Sequence, residues 1–369
     1  MHVGMAAIFQ NPARARTDRE VYKSDLRLAD LAEPLGFDSI WGVEHHFTDY
    51  TMCPDVLQFL SYMAGRTTRA QLGSMVVVLP WHDPMRVAEE VSMLDNLSDG
   101  RVILGLGRGA GKVEFDGFRQ LMDDSRGRFV ESARMLIEGL EQGWCEHKGE
   151  FVNQPRAAIR PAPFKSFRGR TYAAAVSPES APIMAELGVG MLIIPQKPWS
   201  EVARELETYR KVYLDVNGAE APAPIAAGWT FCDANPTRAR EMARRYIGGY
   251  FNTVLDHYHF EGDHLARTKG YEYYGKMAEK ITTYGTDKVI DFFVDLQVWG
   301  TPEQCYEKIL DVRHRVGNDH FVGVFSYAGM PPDEAERNMR LFAAEVMPAL
   351  AKLEPAAPAS PAPALPRTA

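Results

Sequence analysis

Residues 70–106 read AQLGSMVVVLPWHDPMRVAEEVSMLDNLSDGRVILGL, with two short apolar runs on either side of a segment that has helical periodicity. Residues 70–79 and 102–106 are largely aliphatic, which is typical of strands buried on both faces. Residues 84–97 instead repeat apolar side chains at every third or fourth position, which indicates a helix. This order predicts two parallel strands joined by a crossover helix.

The same alternation continues in both directions along the chain. Segments of helical period lie at 18–35 and 55–66. Further apolar runs predict strands at residues 3–9, 37–43, 171–176, 190–194, 223–231 and 321–326. With the first two, these make about eight strands, which predicts an α/β fold of the (β/α)8 TIM-barrel type rather than an open sheet.

Two long segments interrupt the alternation within a predicted single domain of residues 1–354. Residues 124–170 hold a helical stretch and then a proline- and arginine-rich connection, which predicts an extended insertion. Residues 246–299 are rich in Tyr and Phe, and predict either a lid over the barrel mouth or a pair of helices on the barrel wall. Residues 355–369 are almost all Pro, Ala and Ser, so a disordered tail is expected.

Charge and composition argue against several classes of function. The 369 residues carry 41 Lys and Arg against 49 Asp and Glu, so no nucleic-acid partner is expected. The four cysteines form no CxxC pair, which argues against a disulfide framework or a cysteine zinc site and favours the cytoplasm. The longest aliphatic run, residues 75–79, is far shorter than the ~20 residues of a membrane span, and we expect neither a span nor a signal peptide.

Glu44, His45 and His46 follow the second predicted strand, at the end where (β/α)8 barrels carry their active sites. Two adjacent histidines beside an acid are uncommon, and at a strand end one of them should face inward. Histidine titrates near neutral pH, which suits proton transfer. We therefore predict a catalytic role for His45, with a purely structural histidine as the alternative.

A glycine-rich turn, residues 105–112, follows the fourth predicted strand. It matches neither the dinucleotide fingerprint nor the P-loop, since Ala110 stands at a required glycine and no Ser or Thr follows the Gly-Lys pair. The turn holds Arg108, and Ser177 and Ser180 follow the fifth predicted strand. Together these three side chains predict a phosphate cradle, although Ser177 could simply cap a helix.

Five motifs together resemble the bacterial luciferase-like flavin-dependent monooxygenases. They are Glu44-His-His-Phe-Thr-Asp49, Leu79-Pro80 with Asp83-Pro84, Leu94-Asp-Asn-Leu-Ser-Asp-Gly-Arg101, Gly107-Arg108-Gly109 and Asp124-Ser-Arg126. Their order and spacing hold over residues 1–134 and resume over 172–231. The resemblance implies a (β/α)8 barrel with reduced FMN in its mouth, in agreement with the strand count.

The resemblance also implies roles for individual residues. His45 matches the family's catalytic histidine, and His46 is its neighbour. Four residues match positions that hold the FMN phosphate, namely Arg108, Arg126, Ser177 and Ser180. Met75 and Val76 match a pair whose cis peptide supports the isoalloxazine ring. Gly107 departs from the pattern, because the luciferases carry a reactive cysteine there, so light emission from a long-chain aldehyde is not expected.

The resemblance further implies the oxygenase component of a two-component system. Reduced FMN (FMNH2) would come from a separate NAD(P)H:flavin reductase, because no second nucleotide fingerprint is found in the sequence. With O2 it would form a flavin C4a-(hydro)peroxide that inserts one oxygen atom into an apolar organic substrate. His45 would set the protonation state of this intermediate. A homodimer is expected, through helices near strands two and three.

Three other functions remain open on the sequence. A deazaflavin (F420)-dependent dehydrogenase of the same superfamily would share the barrel and the phosphate cradle. A metal-dependent TIM-barrel hydrolase could use residues 257–264, HYHFEGDH, if a strand placed His257 and His259 on one face. We expect no metal site, since the end of the first predicted strand lacks a ligand residue. A flavin-binding protein without catalysis is the third.

Overall fold

Eight parallel strands form a closed barrel in the computed structural model, which describes residues 1–174, 179–259, 267–268, 271 and 281–354. The strands are β1 (His2–Ala7), β2 (Ser39–Gly42), β3 (Gln71–Ser74), β4 (Val102–Gly107), β5 (Thr171–Ala174), β6 (Gly190–Ile193), β7 (Ile225–Cys232) and β8 (His320–Val324). The barrel closes because β8 pairs with β7 on one side and with β1 on the other. The predicted (β/α)8 fold is confirmed.

Helices form the outer layer. In chain order they are α1 (Asp18–Ala32), α2 (Val56–Ala64), α3 (Pro84–Leu97), α4 (Lys112–Phe118), α5 (Ser125–Gln142), α6 (Ser180–Glu186), α7 (Trp199–Asn217), α8 (Pro236–Tyr258), α9 (Thr286–Leu296), α10 (Pro302–Val316), α11 (Pro332–Glu345) and α12 (Met347–Leu350). Single 3-10 turns lie at Pro12–Arg14, Leu79–Trp81 and Met122–Asp124. Among the described helices, none combines the length and the apolar character that crossing a membrane requires.

Local sequence explains where several helices begin. At the start of α1, the Thr17 hydroxyl accepts the Glu20 N–H, and the Glu20 carboxylate accepts the Thr17 N–H at 2.9 Å. α10 starts with the same capping box, formed by Thr301 and Gln304. These bonds satisfy backbone donors that the first helical turn leaves without partners, so each helix begins at a defined residue.

Trp41 fills the interior of the barrel beneath the strand ends. Side chains alternate along β2, and a Cβ on Gly42 would meet Phe59 of α2 at 2.7 Å, so Trp41 points inward. Its indole covers Gly4 and Gly73 on the two neighbouring strands, where a Cβ would come within 2.7 and 2.3 Å of the ring. Because neither position carries a side chain, the large ring fits here.

The third predicted strand, residues 70–79, is wrong in one respect, because it consists of two pieces. β3 ends at Ser74, and Val77–Val78 forms a separate short strand that pairs with β4. The Met75–Val76 peptide between the pieces is cis. The Ser74 hydroxyl donates to the Gly105 carbonyl at 2.9 Å, which holds the end of β3 against β4.

The sequence predicts an extended connection in the second part of the 124–170 insertion. The structure shows regular pairing there instead. After α5 the chain forms an antiparallel hairpin of Trp144–Lys148 and Asn153–Ala158. The Glu131 carboxylate of α5 accepts the backbone N–H groups of residues 150–152 at 2.9–3.0 Å, which holds the turn of the hairpin. Proline is tolerated here because both strands are sheet edges.

The aromatic segment 246–299 is helical at both of its described ends. α8 covers its beginning and α9 lies near its end, and the two helices pack through Phe251 and Phe293, whose rings stack at 4.5 Å. A short strand, Val298–Gly300, then pairs with the end of β7. Residues 260–266, 269–270 and 272–280 lie outside the described residues, as do the predicted tail residues 355–369. The lid and the domain boundaries stay predictions.

A buried ion pair joins the 124–170 insertion to the barrel. Arg170 donates to both carboxylate oxygens of Asp95, at 2.6 and 2.7 Å. The Asp95 side chain is fully buried, and that of Arg170 is 14% exposed. The guanidinium also donates to the carbonyls of Lys165, Ser166 and Val102. Asp95 of the 94–101 motif therefore serves the fold, since it anchors the insertion to α3 and β4.

We expect Arg170→Ala to lower the free energy of unfolding by about 3–5 kcal/mol, because Asp95 would remain buried as an unpaired charge. Arg168→Ala is the matched control: Arg168 is 85% exposed beside Glu141, and its loss should cost less than ~1 kcal/mol. Urea denaturation followed by circular dichroism measures both variants. Equal losses would contradict a structural role for the buried pair.

Candidate active site

Two adjoining cavities open at the carboxyl ends of the barrel strands. They share a wall, formed by residues that line both: His45, Met75, Ala110, Ile194, Gln196 and Tyr258. Molecules bound in the two cavities would therefore meet at this wall.

Cationic and hydroxyl side chains line the first cavity. Arg108 comes from the turn after β4, Arg126 from the first turn of α5, and Ser180 from the start of α6. Arg126 Nη2 lies 3.9 Å from the carboxylate of Glu179, the residue before Ser180. The structure thus brings together three of the four residues predicted to hold a phosphate. The fourth, Ser177, lies outside the described residues.

Tyr271 supports the arginine in the turn after β4. Its ring is fully buried, and the Arg108 guanidinium lies 3.8 Å from the ring centroid. Its hydroxyl donates to the Gly109 carbonyl at 2.7 Å and lies 3.0 Å from Ser125 Oγ. A cation over an aromatic face is attracted by the ring quadrupole. The predicted aromatic segment therefore contributes a side chain that orients Arg108.

Two carboxylates, those of Glu44 and Glu114, also line the first cavity, and its remainder is mainly apolar. Its apolar side chains include those of Met75, Val76, Phe129, Ile183, Met184 and Ile194. Val76 occupies the space in front of Gly107, where a Cβ would lie 2.2 Å from Val76 Cγ2. The missing side chain at position 107, the departure noted from the sequence, is therefore matched by a branched side chain opposite it.

His45 lies between the cavities and is oriented by a carboxylate. Its Nδ1 is 2.9 Å from Glu114 Oε1, and its side chain is 18% exposed. The ring packs edge-on against Tyr50, with centroids 4.8 Å apart. The residue predicted to be catalytic thus reaches both cavities, although its catalytic role stays a prediction.

Glu114, on the first turn of α4, is a site residue that sequence reasoning missed. Its side chain is fully buried, and Oε1 also accepts the backbone N–H of His46 at 2.9 Å. Burial raises the pKa of this carboxyl, but the neighbouring His45 and His257 rings more than offset that effect and lower the pKa to about 2. Glu114 is therefore an ionised carboxylate, which can only accept hydrogen bonds.

His257 faces the same carboxylate from the last turn of α8. Its Nε2 lies 3.6 Å from Glu114 Oε2, and its Nδ1 lies 3.0 Å from the Thr48 hydroxyl. The ring stacks on Tyr50, with centroids 4.4 Å apart. Burial lowers the pKa of His257, which favours the neutral imidazole.

The zinc alternative for residues 257–264 depends on a strand, and the described part of this segment does not form one. His257 lies within the last turn of α8, and His259 caps that helix with a left-handed backbone, φ 51°. Successive helical positions do not place both rings on one face as a strand would. Residues 260–266, including the other proposed ligands, lie outside the described residues.

His46 is not among the residues that line either cavity. Its Nε2 is 3.1 Å from Glu44 Oε1, and its ring packs against Trp81 and Phe118. Burial raises the pKa of Glu44, but hydrogen bonds from His46 and His82 outweigh it, so the net pKa is lowered. Neighbouring side chains at a strand end point in opposite directions, and the structure gives His46 a supporting position behind His45.

The second cavity is apolar. Within the described parts of the chain, no Asp, Glu, Lys or Arg lines it. Aliphatic side chains of the barrel and aromatic side chains of β7, α8 and α9 make up most of its surface, namely Ala6, Ile8, Val43, Ala227, Val254, Val324, Trp229, Tyr250, Phe251 and Phe293. The hydroxyls of Tyr50 and Tyr250 hydrogen-bond to each other. This space therefore suits an uncharged molecule.

The family model for luciferase-like monooxygenases matches residues 1–320. The chain belongs to this family. The resemblance inferred from the motifs is therefore confirmed. The chain is 26% identical to the alkanal monooxygenase alpha chain of Photorhabdus luminescens over 346 residues, which cover 93% of this chain and 95% of that relative. As a member of the family, the protein is a luciferase-like monooxygenase.

Solved structures share the fold of this luciferase-like monooxygenase. Monooxygenase RslO1 from Streptomyces bottropensis superposes with a TM-score of 0.79 at 25% identity, covering 95% of this chain and 99% of that one. The oxygenating constituent of 3,6-diketocamphane monooxygenase from Pseudomonas putida, in complex with FMN, has a TM-score of 0.73 at 18% identity, covering 94% and 98%. An F420-dependent secondary alcohol dehydrogenase also shares the fold, with a TM-score of 0.68 at 14% identity, covering 94% and 98%.

Gly107→Cys in this luciferase-like monooxygenase should lower the free energy of unfolding by about 1–3 kcal/mol, because the new side chain collides with Val76. Val76→Ala in the same chain should recover most of this loss, since it removes the colliding methyl carbons. Urea denaturation of both single variants and the double variant gives the coupling between the two positions. Simple additivity would show that they do not compete for one space.

Proposed function

We propose that the protein is the oxygenase component of a two-component system, which uses reduced FMN to insert one oxygen atom of O2 into an apolar organic substrate. The pair of adjoining cavities carries this proposal, because one holds two arginines and a hydroxyl, the other is apolar, and His45 lies at their shared wall. A cofactor with an anionic tail suits the first cavity, and an uncharged substrate suits the second.

The side chains of the first cavity fit FMN. The guanidinium groups of Arg108 and Arg126 and the hydroxyl of Ser180 would hold the phosphate through charge-assisted hydrogen bonds. Met75 and Val76 supply apolar surface for the isoalloxazine ring. Ser177 would complete the phosphate cradle, an assignment that rests on the sequence alone.

The second cavity would take the substrate. A charged group placed there would lose its hydration without gaining an ionic partner from the described lining residues, which is costly. Trp229, Tyr250 and Phe293 offer broad aromatic faces, and such faces favour a compound with a large apolar surface. The substrate class we propose is therefore a small, uncharged and mainly apolar organic molecule.

Reduced FMN, when bound, would supply the electrons that activate O2. His45 would take up or release a proton at the shared wall, which decides whether the transferred oxygen acts as a nucleophile or as an electrophile. The apolar side chains on both sides of the wall would exclude water from this point. His46 would support His45 through the strand end rather than touch the reacting groups.

Several parts of the proposal rest on sequence reasoning. Reduced FMN would be supplied by a diffusible NAD(P)H:flavin reductase, because the glycine-rich turn matches no dinucleotide fingerprint. The proposal also includes a homodimer and a cytoplasmic location. Size-exclusion chromatography with light scattering measures the oligomeric state and so tests the homodimer.

The function is tested by loading the protein with FMNH2 without oxygen, then adding 18O2 and a panel of ketones, phenols and thioethers. One 18O atom in an organic product supports the proposal. Hydride transfer from reduced F420 without O2 consumption would establish the dehydrogenase of the same superfamily instead. Equilibrium dialysis that detects no uptake of FMN in either oxidation state would contradict the proposed function.

Arg108→Ala should weaken FMN binding about 10- to 150-fold, which corresponds to the about 1.5–3 kcal/mol of a hydrogen bond to a charged group. Arg128→Ala is the matched control, because Arg128 lines a different cavity on the outside of α5 and should leave the dissociation constant unchanged. Fluorescence titration of FMN measures both. An unaltered dissociation constant in Arg108→Ala would place the phosphate elsewhere.

A further inference from the structure

Glu114 bridges two histidines that come from distant parts of the chain. His45 follows β2, and His257 lies on α8. Each carboxylate oxygen faces one ring, with Oε1 2.9 Å from His45 Nδ1 and Oε2 3.6 Å from His257 Nε2. Both Oε2 and His257 Nε2 are buried, and within the described part of the chain neither has a hydrogen-bond partner within 3.5 Å. Among the described residues, Glu114 Oε2 and His257 Nε2 are therefore the polar atoms that face each other.

We propose that Glu114 and His257 are positioning residues that fix the tautomer of His45, so that Nδ1 carries the proton and Nε2 is the basic nitrogen. This proposal rests on the proposed function in one respect, namely that His45 transfers a proton during the reaction. The sequence supplied His45 as a candidate, whereas its pairing with a carboxylate and a second histidine is seen only in the folded chain.

The charge of Glu114 decides the tautomer of His45. An ionised carboxylate can only accept hydrogen bonds, so the His45 nitrogen that faces it must be the donor. A neutral imidazole has one donor and one acceptor nitrogen, which leaves Nε2 as the acceptor. The backbone N–H of His46 donates to the same Oε1 at 2.9 Å and fixes the orientation of the carboxylate.

His257 stabilises the far oxygen of the carboxylate without adding a second charge. Burial lowers the pKa of this ring, which favours its neutral form. We assign the Thr48 hydroxyl, 3.0 Å from Nδ1, as the donor, so that the ring proton lies on Nε2 and is directed at Glu114 Oε2. Gly111 makes the approach possible, because a Cβ there would lie 2.2 Å from Oε2 and 3.0 Å from His257 Nε2.

The bridge formed by His45, Glu114 and His257 is surrounded by titratable or charged side chains from several elements. The titratable or charged side chains are His45 and Tyr50 after β2, His257, Tyr258 and His259 at the end of α8, and Lys112 and Asp116 on α4. Burial raises the pKa of the Tyr50 phenol, so this group stays neutral. Lys112 and Asp116 pair with each other on the exposed side of α4. Glu114 therefore supplies the negative charge within the bridge.

Three substitutions separate the bridge from simple packing. Glu114→Ala removes the carboxylate. His257→Phe keeps a ring stacked on Tyr50 but removes the N–H, whereas His257→Gln gives up the ring and keeps a donor. Circular dichroism and thermal melting of each variant establish that it folds before other measurements are compared.

The first measurement uses the protein without flavin. Nitrogen-15 spectra of the labelled imidazoles distinguish protonated from unprotonated nitrogens, and the His45 signals are those missing in His45→Gln. We expect wild type and His257→Gln to hold the proton on Nδ1. Glu114→Ala should give a mixture of tautomers, and His257→Phe should shift partway to it. This outcome does not depend on whether FMN binds or a substrate is known.

The second measurement is turnover with FMNH2, O2 and the substrate that the 18O2 panel identifies. Glu114→Ala should lower kcat about 10²–10⁴-fold, the range of a lost general acid or base. His257→Phe should lower it about 5- to 10-fold, because the buried Glu114 Oε2 would no longer face a polar group, and His257→Gln should restore it to within about threefold. KM and the FMN dissociation constant should change less than about twofold in His257→Phe and His257→Gln, because His257 lines neither cavity.

Two results would overturn the proposal. One is a wild-type proton on Nε2 of His45, or an Nδ1 tautomer that survives in folded Glu114→Ala. The other is a stoichiometric metal ion in purified protein that is lost in His257→Phe, since donor atoms of His45, Glu114 and His257 lie within 4.8 Å of one another. Elemental analysis of both proteins decides this second point.

Discussion

Closure of eight parallel strands into one barrel is the constraint on which the rest of the structure depends. Because every strand runs in the same direction, the loops that follow β2, β3, β4 and β5 all lie at one rim of the barrel. Trp41 occupies the interior beneath that rim, where Gly4 and Gly73 leave room for its ring. The two cavities therefore lie above a filled core, between the loops.

At the rim, a buried negative charge organises the polar half of the site. Glu114 is fully buried, and a carboxylate in that position must be paired or hydrogen-bonded to remain ionised. Its partners are His45, the backbone of His46 and the facing ring of His257. The same requirement applies to Glu44, which follows β2 directly before His45 and is held by His46 and His82. Two buried carboxylates thus fix the two adjacent histidines in opposite directions, and only His45 is left facing the cavities.

Strands and helices of this chain were predictable because apolar periodicity is a local property. Eight strands lie within or close to the predicted runs, and the insertion helix lies at the beginning of residues 124–170, where a helical stretch was predicted. The hairpin at Trp144–Lys148 and Asn153–Ala158 was not predictable, because its turn is held by Glu131, a residue from the preceding helix. The division of residues 70–79 into two strands was not predictable either. β3 pairs with residues 102–103 of β4, whereas Val77–Val78 pairs with residues 106–107, and this pairing is set by the tertiary structure.

The sequence by itself determined the parallel barrel, the family and the residues that carry recognisable motifs, since each of these depends on the order and spacing of side chains along the chain. Only the tertiary structure decided which side chains meet. Glu114 is 69 residues from His45, and His257 has a spacing that pointed to a metal site, so neither could be joined to His45 from the sequence. The physical reason is that the pairing of buried charges is set by distances in the folded state, and these arise only once the barrel has closed.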